Sequence, residues 1–458
     1  MTILIVTFLI LFVLLAWKRL DLAVLFIIAG TPLYLLRFNV AKIPTTILEA
    51  MILIAFAFWF IIYDGAKVKT LLKKTGRTPY PYKWEMIAVL IVSWAAIIVA
   101  GISHEALGTW KAYFLEPLLL FILIINLFSS ANGRKKIIFA LATSALIVSL
   151  FAVYQKITGQ FISNPFWAAE NTRRVVSFFG YPNAVGLFLS PLIMIFVGYF
   201  FSKPRLSEKI FLAITIFTSL LAIVFAQSSG AIIGLAAAGF IFMLLANKKS
   251  RISALILAVI TVIAIFSYLP LKQLALEKFT LNKLSGQIRQ EQWTETKKML
   301  AAGRWFQGAG LSNYQKTVAP YHQEGIFLNN GDPNWLEKIR ISAEFRKQMW
   351  QPTEIYMYPH NIFLNFWSEL GILGALLFCW IIAKFLWQSG RFFLKEETSP
   401  ERFVALGLLA SMIVLVVHGL VDVPYFKNDL SVLFWVSIAL LSGLNLKPNE
   451  KNSAKINS

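Results

Sequence analysis

The sequence predicts an all-α polytopic membrane protein with about 12–13 transmembrane helices and one large, mostly helical extracytoplasmic loop. Hydrophobic residues make up 58% of the 458 residues, against about 45–50% in soluble domains. Apolar runs of about 17–22 residues recur along the chain, as spans of a bilayer require. Lysines and arginines cluster in short loops between these runs, which is the distribution typical of cytoplasmic loops. These observations exclude an ordinary soluble domain.

The charge and the cysteine content exclude two further classes. A formal net charge of +20 would suggest a nucleic-acid partner in a soluble protein. The basic residues of this chain flank apolar runs and no nucleic-acid-binding motif accompanies them, so no nucleic acid is expected to bind. Cys379 is the single cysteine, which excludes a disulfide framework and a cysteine-based metal site. The first sixteen residues lack a basic start and a small-residue cleavage site, so they predict a retained span.

Thirteen apolar runs are the predicted spans. The loop after the third run carries six lysines and arginines between Lys67 and Lys83, which predicts that this loop is cytoplasmic. The first two runs are short, and one kinked unit is the alternative to two separate spans. The runs are Ile3–Trp17, Leu22–Leu36, Pro44–Tyr63, Met86–Ile102, Tyr113–Phe128, Ile137–Ile157, Tyr181–Phe201, Phe211–Ala226, Ala231–Ala246, Ile252–Leu269, Ile362–Phe385, Phe403–Leu420 and Leu430–Leu444.

The large loop and the spans divide the chain into five regions. Within the loop, Leu271–Leu300 has the periodicity of an amphipathic helix lying along the bilayer surface. The end of the chain is rich in lysine and predicts a disordered tail. The regions are 1–157 (amino-terminal transmembrane helices), 158–268 (transmembrane helices with an outer arginine loop), 269–359 (the large outer loop), 360–444 (carboxy-terminal transmembrane helices) and 445–458 (cytoplasmic tail).

The stretch that enters the eleventh apolar run contains the leading candidate for chemistry. At about 100° per residue, His360, Gly371 and Gly374 fall on one helical stripe. The two glycines on this stripe predict the close approach of a neighbouring helix. In a first helical turn the dipole disfavours imidazolium, so His360 is predicted to be a neutral general base. Glu369 is predicted to point to roughly the opposite side.

The other histidines are weaker candidates. His104 and His322 lie in outer loops without accompanying chemistry. His418 and Asp422 are four residues apart, so they are predicted to share a helical face as a buried pair, either structural or catalytic. No cluster of histidine, aspartate and glutamate has metal-ligand spacing, which predicts metal-independent chemistry without a cofactor.

Two further polar segments have both an ordinary and a functional interpretation. Gly308 and Gly310, followed by Tyr314, form either an ordinary glycine turn or part of a phosphate cradle. Arg173 and Arg174 precede a span, where they either anchor a helix end or bind a diphosphate through their planar guanidinium groups. Both arginines are therefore candidates.

The stretch from His360 also carries the motif His-Asn-x-x-Leu-x-x-x-x-Glu-x-Gly-x-x-Gly, by which the chain resembles the bacterial O-antigen ligase and O-antigen polymerase superfamily. Relatives also carry an Arg-x-x-x-Trp helix, a Gly-x-Gly turn followed by an aromatic residue, and a Pro-Asn pair that opens a span. One departure is Ser228-Ser229-Gly230, where many relatives have Ser-Arg-Gly. The matching residues are His360, Asn361, Leu364, Glu369, Gly371, Gly374, Arg289, Trp293, Gly308, Gly310, Tyr314, Pro182 and Asn183.

The resemblance implies glycan transfer from a polyprenyl-diphosphate-linked donor to an acceptor hydroxyl at the outer face of the bacterial plasma membrane, with inversion of the anomeric centre. It implies that His360 removes the acceptor proton and that Arg289, Arg173 and Arg174 bind the donor diphosphate. A ligase acts on a lipid core oligosaccharide, a polymerase on another lipid-linked repeat unit, and a protein O-oligosaccharyltransferase on serine or threonine. The ligase-type activity is preferred among the three. The implied supporting residues are Asn361, Glu369, Gly308, Gly310 and Asn183.

A lipid-linked glycan flippase or another transporter is the alternative from a different class. Transporters usually place ionisable residues or broken helices near the midplane of the membrane. Few of the main acidic residues in or near the spans are central, and a large outer loop is unusual for a carrier, so the transferase is preferred. These acidic residues are Glu49, Glu116, Glu369 and Asp422.

Overall fold

The structure is a computed structural model that describes residues 2–40, 43–62, 80–270, 272–273, 276 and 280–446. The basic cluster between Lys67 and Arg77 and the predicted tail from residue 447 lie outside the described residues. The longer helices are α1 (Thr2–Lys18), α2 (Leu20–Ala29), α3 (Ile47–Ile62), α4 (Lys83–Val99), α5 (His104–Leu127), α6 (Ala131–Thr158), α7 (Pro182–Phe201), α8 (Leu206–Ala226), α9 (Ser229–Ala246), α10 (Lys248–Ser267), α11 (Leu284–Met299), α12 (Ile362–Lys395), α13 (Arg402–Gly419) and α14 (Asn428–Asn445).

Nine helices of the described part of the chain, α5–α10 and α12–α14, are long and apolar enough to cross a membrane. This confirms the predicted class, an all-α polytopic membrane protein. The other four predicted runs form the shorter helices α1–α4. α2 has ten residues and is therefore about 15 Å long, which is half of the hydrocarbon core. The helix formed by the second run is thus too short to cross the membrane. The α-helix ends at Gly30, and the chain continues as a 3₁₀ turn.

The first two runs are two helices and not one kinked unit. The helical pattern breaks at Arg19, which has φ −145° and ψ 75°. The ring of Phe26 in α2 packs against two rings of α1, with centroids 6.0 Å from Phe8 and 6.2 Å from Phe12. α1 and α2 therefore lie side by side.

The core of the bundle is built around α7, α13 and α14, whose side chains are mostly buried. α7 packs against α8, α9 and α13, and α13 also packs against α12. α12 contacts α4, and α14 contacts α5. α10 packs mainly against α9, and Ala254 is its only buried residue. From Ile252 onwards the exposed surface of α10 is almost entirely apolar, as a helix surrounded by lipid requires.

Ion pairs tie together the end of the bundle opposite the large loop. Arg134 at the start of α6 pairs with Glu401 just before α13 and donates to the Gly443 carbonyl oxygen at 2.9 Å. Lys135 pairs with Glu208 at the start of α8. These contacts join the α5–α6, α7–α8 and α12–α13 connections. The predicted site residues all lie at the other end, where the large loop joins α10 and α12.

Two small antiparallel ribbons were not predicted by an all-α pattern. In the first, Arg37 pairs with Thr46, and in the second, Gly325 pairs with Pro352. Both ribbons lie in connections at the loop-bearing end. The strands are β1 (Arg37–Val40), β2 (Ile43–Thr46), β3 (Gly325–Phe327) and β4 (Trp350–Pro352).

The long helix of the large loop is shorter than the predicted amphipathic helix Leu271–Leu300. α11 begins at Leu284, because the preceding residues 280–283 form a turn in which Leu281 has φ 56°. The buried face of α11 includes Gln292, Glu295 and Thr296, which are polar. α11 therefore packs on the protein through a polar face. The remaining short segments of the loops are Thr31–Leu35, Pro165–Ala168, Glu170–Thr172, Leu300–Arg304, Tyr314–Val318, Ala319–Tyr321, Trp335–Ile341 and Ala343–Met349.

Candidate functional site

His360 lies directly before α12 and not in its first turn. α12 begins at Ile362, because Asn361 is its N-cap and its side-chain oxygen accepts from two backbone N–H groups of the first turn, at 3.0 and 3.1 Å. The side-chain nitrogen of Asn361 donates to the carbonyl oxygen of Leu420 at 3.0 Å. His360 itself has a left-handed backbone with φ 46°. The prediction that it shares a regular helical stripe with Gly371 is therefore wrong.

The imidazole of His360 is held by a glutamine from the large loop. Nδ1 of His360 lies 2.9 Å from Oε1 of Gln292 on α11. Because an amide oxygen can only accept, this contact assigns the proton to Nδ1 and leaves a lone pair on Nε2. The rings of Tyr356 and Tyr358 stand edge-on to the imidazole, with centroids at 5.2 and 5.5 Å. The histidine is thus fixed in one tautomer and orientation.

The electrostatic surroundings of His360 favour its neutral form. Burial lowers the pKa of His360, the positive charge of Arg289 lowers it further, and the negative charge of Asp422 opposes both effects. A neutral imidazole with a free Nε2 lone pair is suited to accept a proton. The helix dipole was the predicted cause of a neutral ring, whereas in the structure burial is the largest effect that lowers the pKa of His360.

One face of α11 gathers buried N–H donors beside His360. Arg289, Gln292 and Trp293 are spaced three and four residues apart, which places them on one side of the helix. Arg289 Nε, Gln292 Nε2 and Trp293 Nε1 are buried and have no acceptor among the described residues. A buried donor without an acceptor is costly. The face is therefore chemically suited to bind an oxygen-rich, negatively charged ligand.

The structure separates the two neighbouring arginines. Arg173 donates to the backbone oxygens of Lys156 at 3.1 Å and Ala168 at 3.3 Å. These contacts hold the end of α6 against the loop that precedes α7. Arg173 therefore occupies the position of a helix anchor, which was the ordinary interpretation of this pair.

Arg174 instead begins a polar chain that crosses the end of the bundle. It donates through Nε to the carbonyl oxygen of Ala226 at 3.0 Å and through Nη2 to Oδ1 of Asn183 at 3.5 Å. Asn183 donates in turn to Oδ2 of Asp422 at 3.3 Å. Burial lowers the pKa of Arg174. The structure thus links Arg174 to Asp422, whose charge acts on His360.

His418 and Asp422 are both buried, but they do not form the predicted helical pair. α13 ends at Gly419, so the two residues do not share a regular helical face. Asp422 accepts from Asn183 and from the backbone N–H of Val423, and the buried Nδ1 of His418 has no partner among the described residues. The described residues contain no group of three or more histidine, cysteine, aspartate or glutamate side chains that could hold a metal ion.

The Gly308–Gly310 turn is wedged between α12 and α4. The backbone N–H groups at positions 308, 309, 311, 312 and 313 all donate to oxygens of the protein. Among these contacts, Ala309 donates to the carbonyl oxygen of Ser368 at 2.6 Å, and Leu311 donates to that of Ala96 at 3.1 Å. A phosphate cradle would need such N–H groups free, so the arrangement fits the ordinary glycine turn.

On the α12 side, Glu369 and Gly371 contact this turn and the residues just before it. Glu369 is buried and its Oε2 accepts from the backbone N–H of Ser312 at 2.5 Å. Gly371 breaks the helix with φ 74° and ψ −179°. A Cβ on Gly371 would overlap the carbonyl oxygen of Phe306, and one on Gly374 would overlap the side chain of its own helix. The prediction that a neighbouring helix approaches closely at these glycines is therefore wrong, because the backbone of the large loop packs against Gly371.

The Ser228-Ser229-Gly230 hairpin, where many relatives carry an arginine, lies beside His418. A Cβ on Gly230 would lie 2.8 Å from Nε2 of His418. Ser228 is buried and packs against Gly186 of α7. The position where this chain departs from many relatives thus lies next to the buried His418.

Sequence reasoning did not identify four further residues at the loop-bearing end of the bundle. Gln292 and Tyr358 contact His360, and Tyr181 lies against Lys427. Gln292 lies three residues after Arg289, and this spacing on a helix could have placed it on the same face. Lys427 lies in the short connection between the last two spans, where an unexplained basic residue on the predicted outer side was a further signal. The two tyrosines carry no local signal that separates them from interfacial aromatic residues.

The fold and the site define a class: a polytopic α-helical membrane protein whose large loop brings arginine and glutamine side chains next to a half-buried histidine. Residues 214–379 match the family model of O-antigen ligase. This match confirms the predicted resemblance to the O-antigen ligase superfamily and supports an O-antigen ligase/polymerase-type membrane glycosyltransferase. The matched segment contains Arg289 and His360, whereas Arg174 and Asn183 precede it. No curated protein matches the chain.

Proposed function

We propose that the protein is an O-antigen ligase-like glycosyltransferase at the outer face of the bacterial plasma membrane. It moves a glycan from a polyprenyl-diphosphate carrier to a hydroxyl group of a lipid core oligosaccharide, without a metal ion. The observation that carries the proposal is the half-buried His360, which Gln292 fixes in one tautomer beside the unused donors of Arg289 and Trp293.

The proposed reaction is one displacement at the anomeric carbon of the donor. Nε2 of His360 takes the proton of the acceptor hydroxyl while the hydroxyl oxygen attacks the anomeric carbon. The bond from that carbon to the diphosphate oxygen breaks, and polyprenyl diphosphate leaves with the electron pair. Attack from the side opposite the leaving group inverts the anomeric centre. The negative charge of Asp422 favours the imidazolium that forms on His360.

Arg289 and Arg174 are the proposed ligands of the diphosphate. Nε of Arg289 has no acceptor, and Nη1 of Arg174 makes no hydrogen bond to the described residues. A guanidinium group binds phosphate oxygens through two parallel N–H donors and keeps its charge when buried. Arg173 contributes less, because its contacts with Lys156 and Ala168 hold it at the end of α6, whereas Arg174 is linked through Asn183 to Asp422, whose charge acts on His360.

The direct test is transfer by the purified protein in proteoliposomes. The assay supplies labelled polyprenyl-diphosphate glycan and a lipid core oligosaccharide, with a chelator present. We expect release of polyprenyl diphosphate together with one shifted acceptor band. A ladder of products would indicate a polymerase instead of a ligase. A labelled protein would indicate a protein O-oligosaccharyltransferase. Passage of the intact donor across the bilayer, with no polyprenyl diphosphate released, would favour a flippase.

The two arginines are expected to respond differently to substitution. Arg174→Ala is expected to raise the donor KM at least about tenfold, because a charge-assisted phosphate contact is lost. Arg173→Ala is expected to lower the Tm with a donor KM close to that of the wild type, because it removes contacts to Lys156 and Ala168. Steady-state transfer and thermal unfolding measure the two effects. The assignment fails if Arg173→Ala, and not Arg174→Ala, raises the donor KM.

Gln292 is expected to set the pH dependence of transfer through its contact with His360. The base is active when neutral, so the wild-type rate falls as the pH drops through the lowered pKa of His360. Gln292→Glu places a carboxylate against Nδ1 and favours imidazolium, so the acidic limb of kcat/KM is expected to move upward by about one pH unit. Gln290→Glu, the same change on the exposed face of α11, is the control. Equal profiles for the two variants would contradict the role of Gln292.

A further inference from the structure

Lys427 is a cation surrounded by aromatic rings at the loop-bearing end of the bundle. It is partly buried in the connection between α13 and α14. Its Nζ lies 4.9 Å from the ring centroid of Tyr181, 5.1 Å from that of Phe179 and 5.7 Å from that of Tyr34. The three rings come from the segment before α7 and from the turn after α2. Lys427 thus lies where two distant parts of the chain meet.

The ammonium group lacks a hydrogen-bond acceptor in the described part of the chain. No described carboxylate lies within 4.0 Å of its Nζ, and Nζ donates no hydrogen bond to a described residue. Aromatic faces attract a cation but leave its three N–H donors without strong acceptors. Burial lowers the pKa of Lys427, and the charges of Asp429 and Asp422 oppose this shift. A charged ammonium in this position lowers the stability of the fold unless a ligand supplies an acceptor for its N–H groups.

Lys427 is connected to His360 through two tyrosines. Burial raises the pKa of Tyr181, and the neighbouring Tyr358 raises it further. Tyr358 stands edge-on to His360 at 5.5 Å, and Tyr181 lies against Lys427. The charge of Asp422 acts on both His360 and Lys427. The ammonium therefore belongs to the same polar end of the bundle as the proposed base.

The backbone around Lys427 is held by contacts that do not involve its ammonium. The N–H of Lys427 donates to the carbonyl oxygen of Tyr425 at 2.7 Å. The next residue, Asn428, donates through Nδ2 to Oε1 of Glu49 at 2.9 Å, and Glu49 pairs with Lys111 at 2.8 Å. A substitution of the Lys427 side chain therefore leaves the anchors of this segment in place.

We propose that Lys427 binds an oxyanion of the donor diphosphate, in addition to the arginines. The proposal rests on the proposed function and adds a third cationic ligand to it. An ammonium with three free donors fits a phosphate oxygen as a point charge, where a guanidinium fits two oxygens side by side. During transfer, negative charge develops on the leaving diphosphate, and a desolvated cation stabilises it more strongly than a hydrated one.

The test compares an unpaired lysine with a paired one. Lys427→Met and Lys427→Arg are made beside Lys384→Met, since Lys384 also lies over a tyrosine ring but is paired with Glu85 at 2.6 Å. Binding of polyprenyl diphosphate and of inorganic diphosphate to each detergent-solubilised variant is measured by calorimetry, and the Tm is measured without ligand. The wild type provides the reference for both quantities.

We expect Lys427→Met to weaken polyprenyl diphosphate binding at least tenfold while its Tm stays equal or rises. Lys427→Arg is expected to keep binding within about threefold, because it keeps the charge. Lys384→Met is expected to lower the Tm and leave binding unchanged. Loss of inorganic diphosphate binding in Lys427→Met as well would assign the contact to the phosphates and not to the lipid.

Two outcomes would overturn the proposal. One is wild-type affinity for polyprenyl diphosphate in Lys427→Met. The other is a lower Tm of that variant with equal loss of binding in Lys427→Arg, which would make Lys427 a structural residue. A wild type that binds polyprenyl diphosphate through Lys427 but transfers no glycan would refute the proposed function and leave this site intact. A wild type that does not bind polyprenyl diphosphate would refute both.

Discussion

Replacement of His360 by alanine is expected to lower the rate of glycan transfer by about 100- to 10,000-fold, the usual contribution of a positioned general base. The reason is that Nε2 is the free proton acceptor of a half-buried imidazole whose Nδ1 already donates to Gln292. Donor binding is expected to change little, because the proposed diphosphate ligands Arg289, Arg174 and Lys427 lie on other elements. Single-turnover transfer with saturating donor separates the two effects.

His104→Ala is the matched control for this experiment. His104 is an exposed histidine at the start of α5, also at the loop-bearing end of the bundle. Its substitution is expected to leave both the rate and the donor KM unchanged. A folded His360→Ala protein that transfers glycan at more than half of the wild-type rate would remove His360 from the chemistry.

Replacement of Gly371 by alanine is expected to have the largest effect on stability. The backbone of Gly371 has φ 74° and ψ −179°, a region that other residues avoid. A Cβ there would also overlap the carbonyl oxygen of Phe306 in the large loop. The strain and the overlap together predict a loss of at least about 2 kcal/mol in the free energy of unfolding.

This loss is measured as a lower Tm, and limited proteolysis reports whether the large loop has detached from α12. Gly239→Ala on α9 is the control, because a Cβ at that position meets no atom within 4 Å. It is expected to leave the Tm unchanged or slightly higher, since alanine favours the helix. An equal Tm for Gly371→Ala and the wild type would mean that the break in α12 is not required.

The amino-acid sequence by itself determined the fold class and the candidate base. Apolar runs and the placement of basic residues depend only on local composition, and each predicted run coincides with a helix of the structure. The motif that begins at His360 was visible without coordinates, and the family match over residues 214–379 covers it. The start of α12 was predicted to within two residues, but the capping role of Asn361 was not.

The tertiary structure alone decided how these pieces meet. Arg173 and Arg174 are adjacent in the chain and chemically identical, and only packing turns one to the end of α6 and the other towards Asn183. Gln292 meets His360 across 68 residues of sequence. Periodicity reports which side of one element is apolar, whereas a hydrogen bond between two elements depends on their relative placement. Only the folded chain therefore shows the contact of His360 with Gln292, the packing of the large loop against Gly371 and the aromatic rings around Lys427.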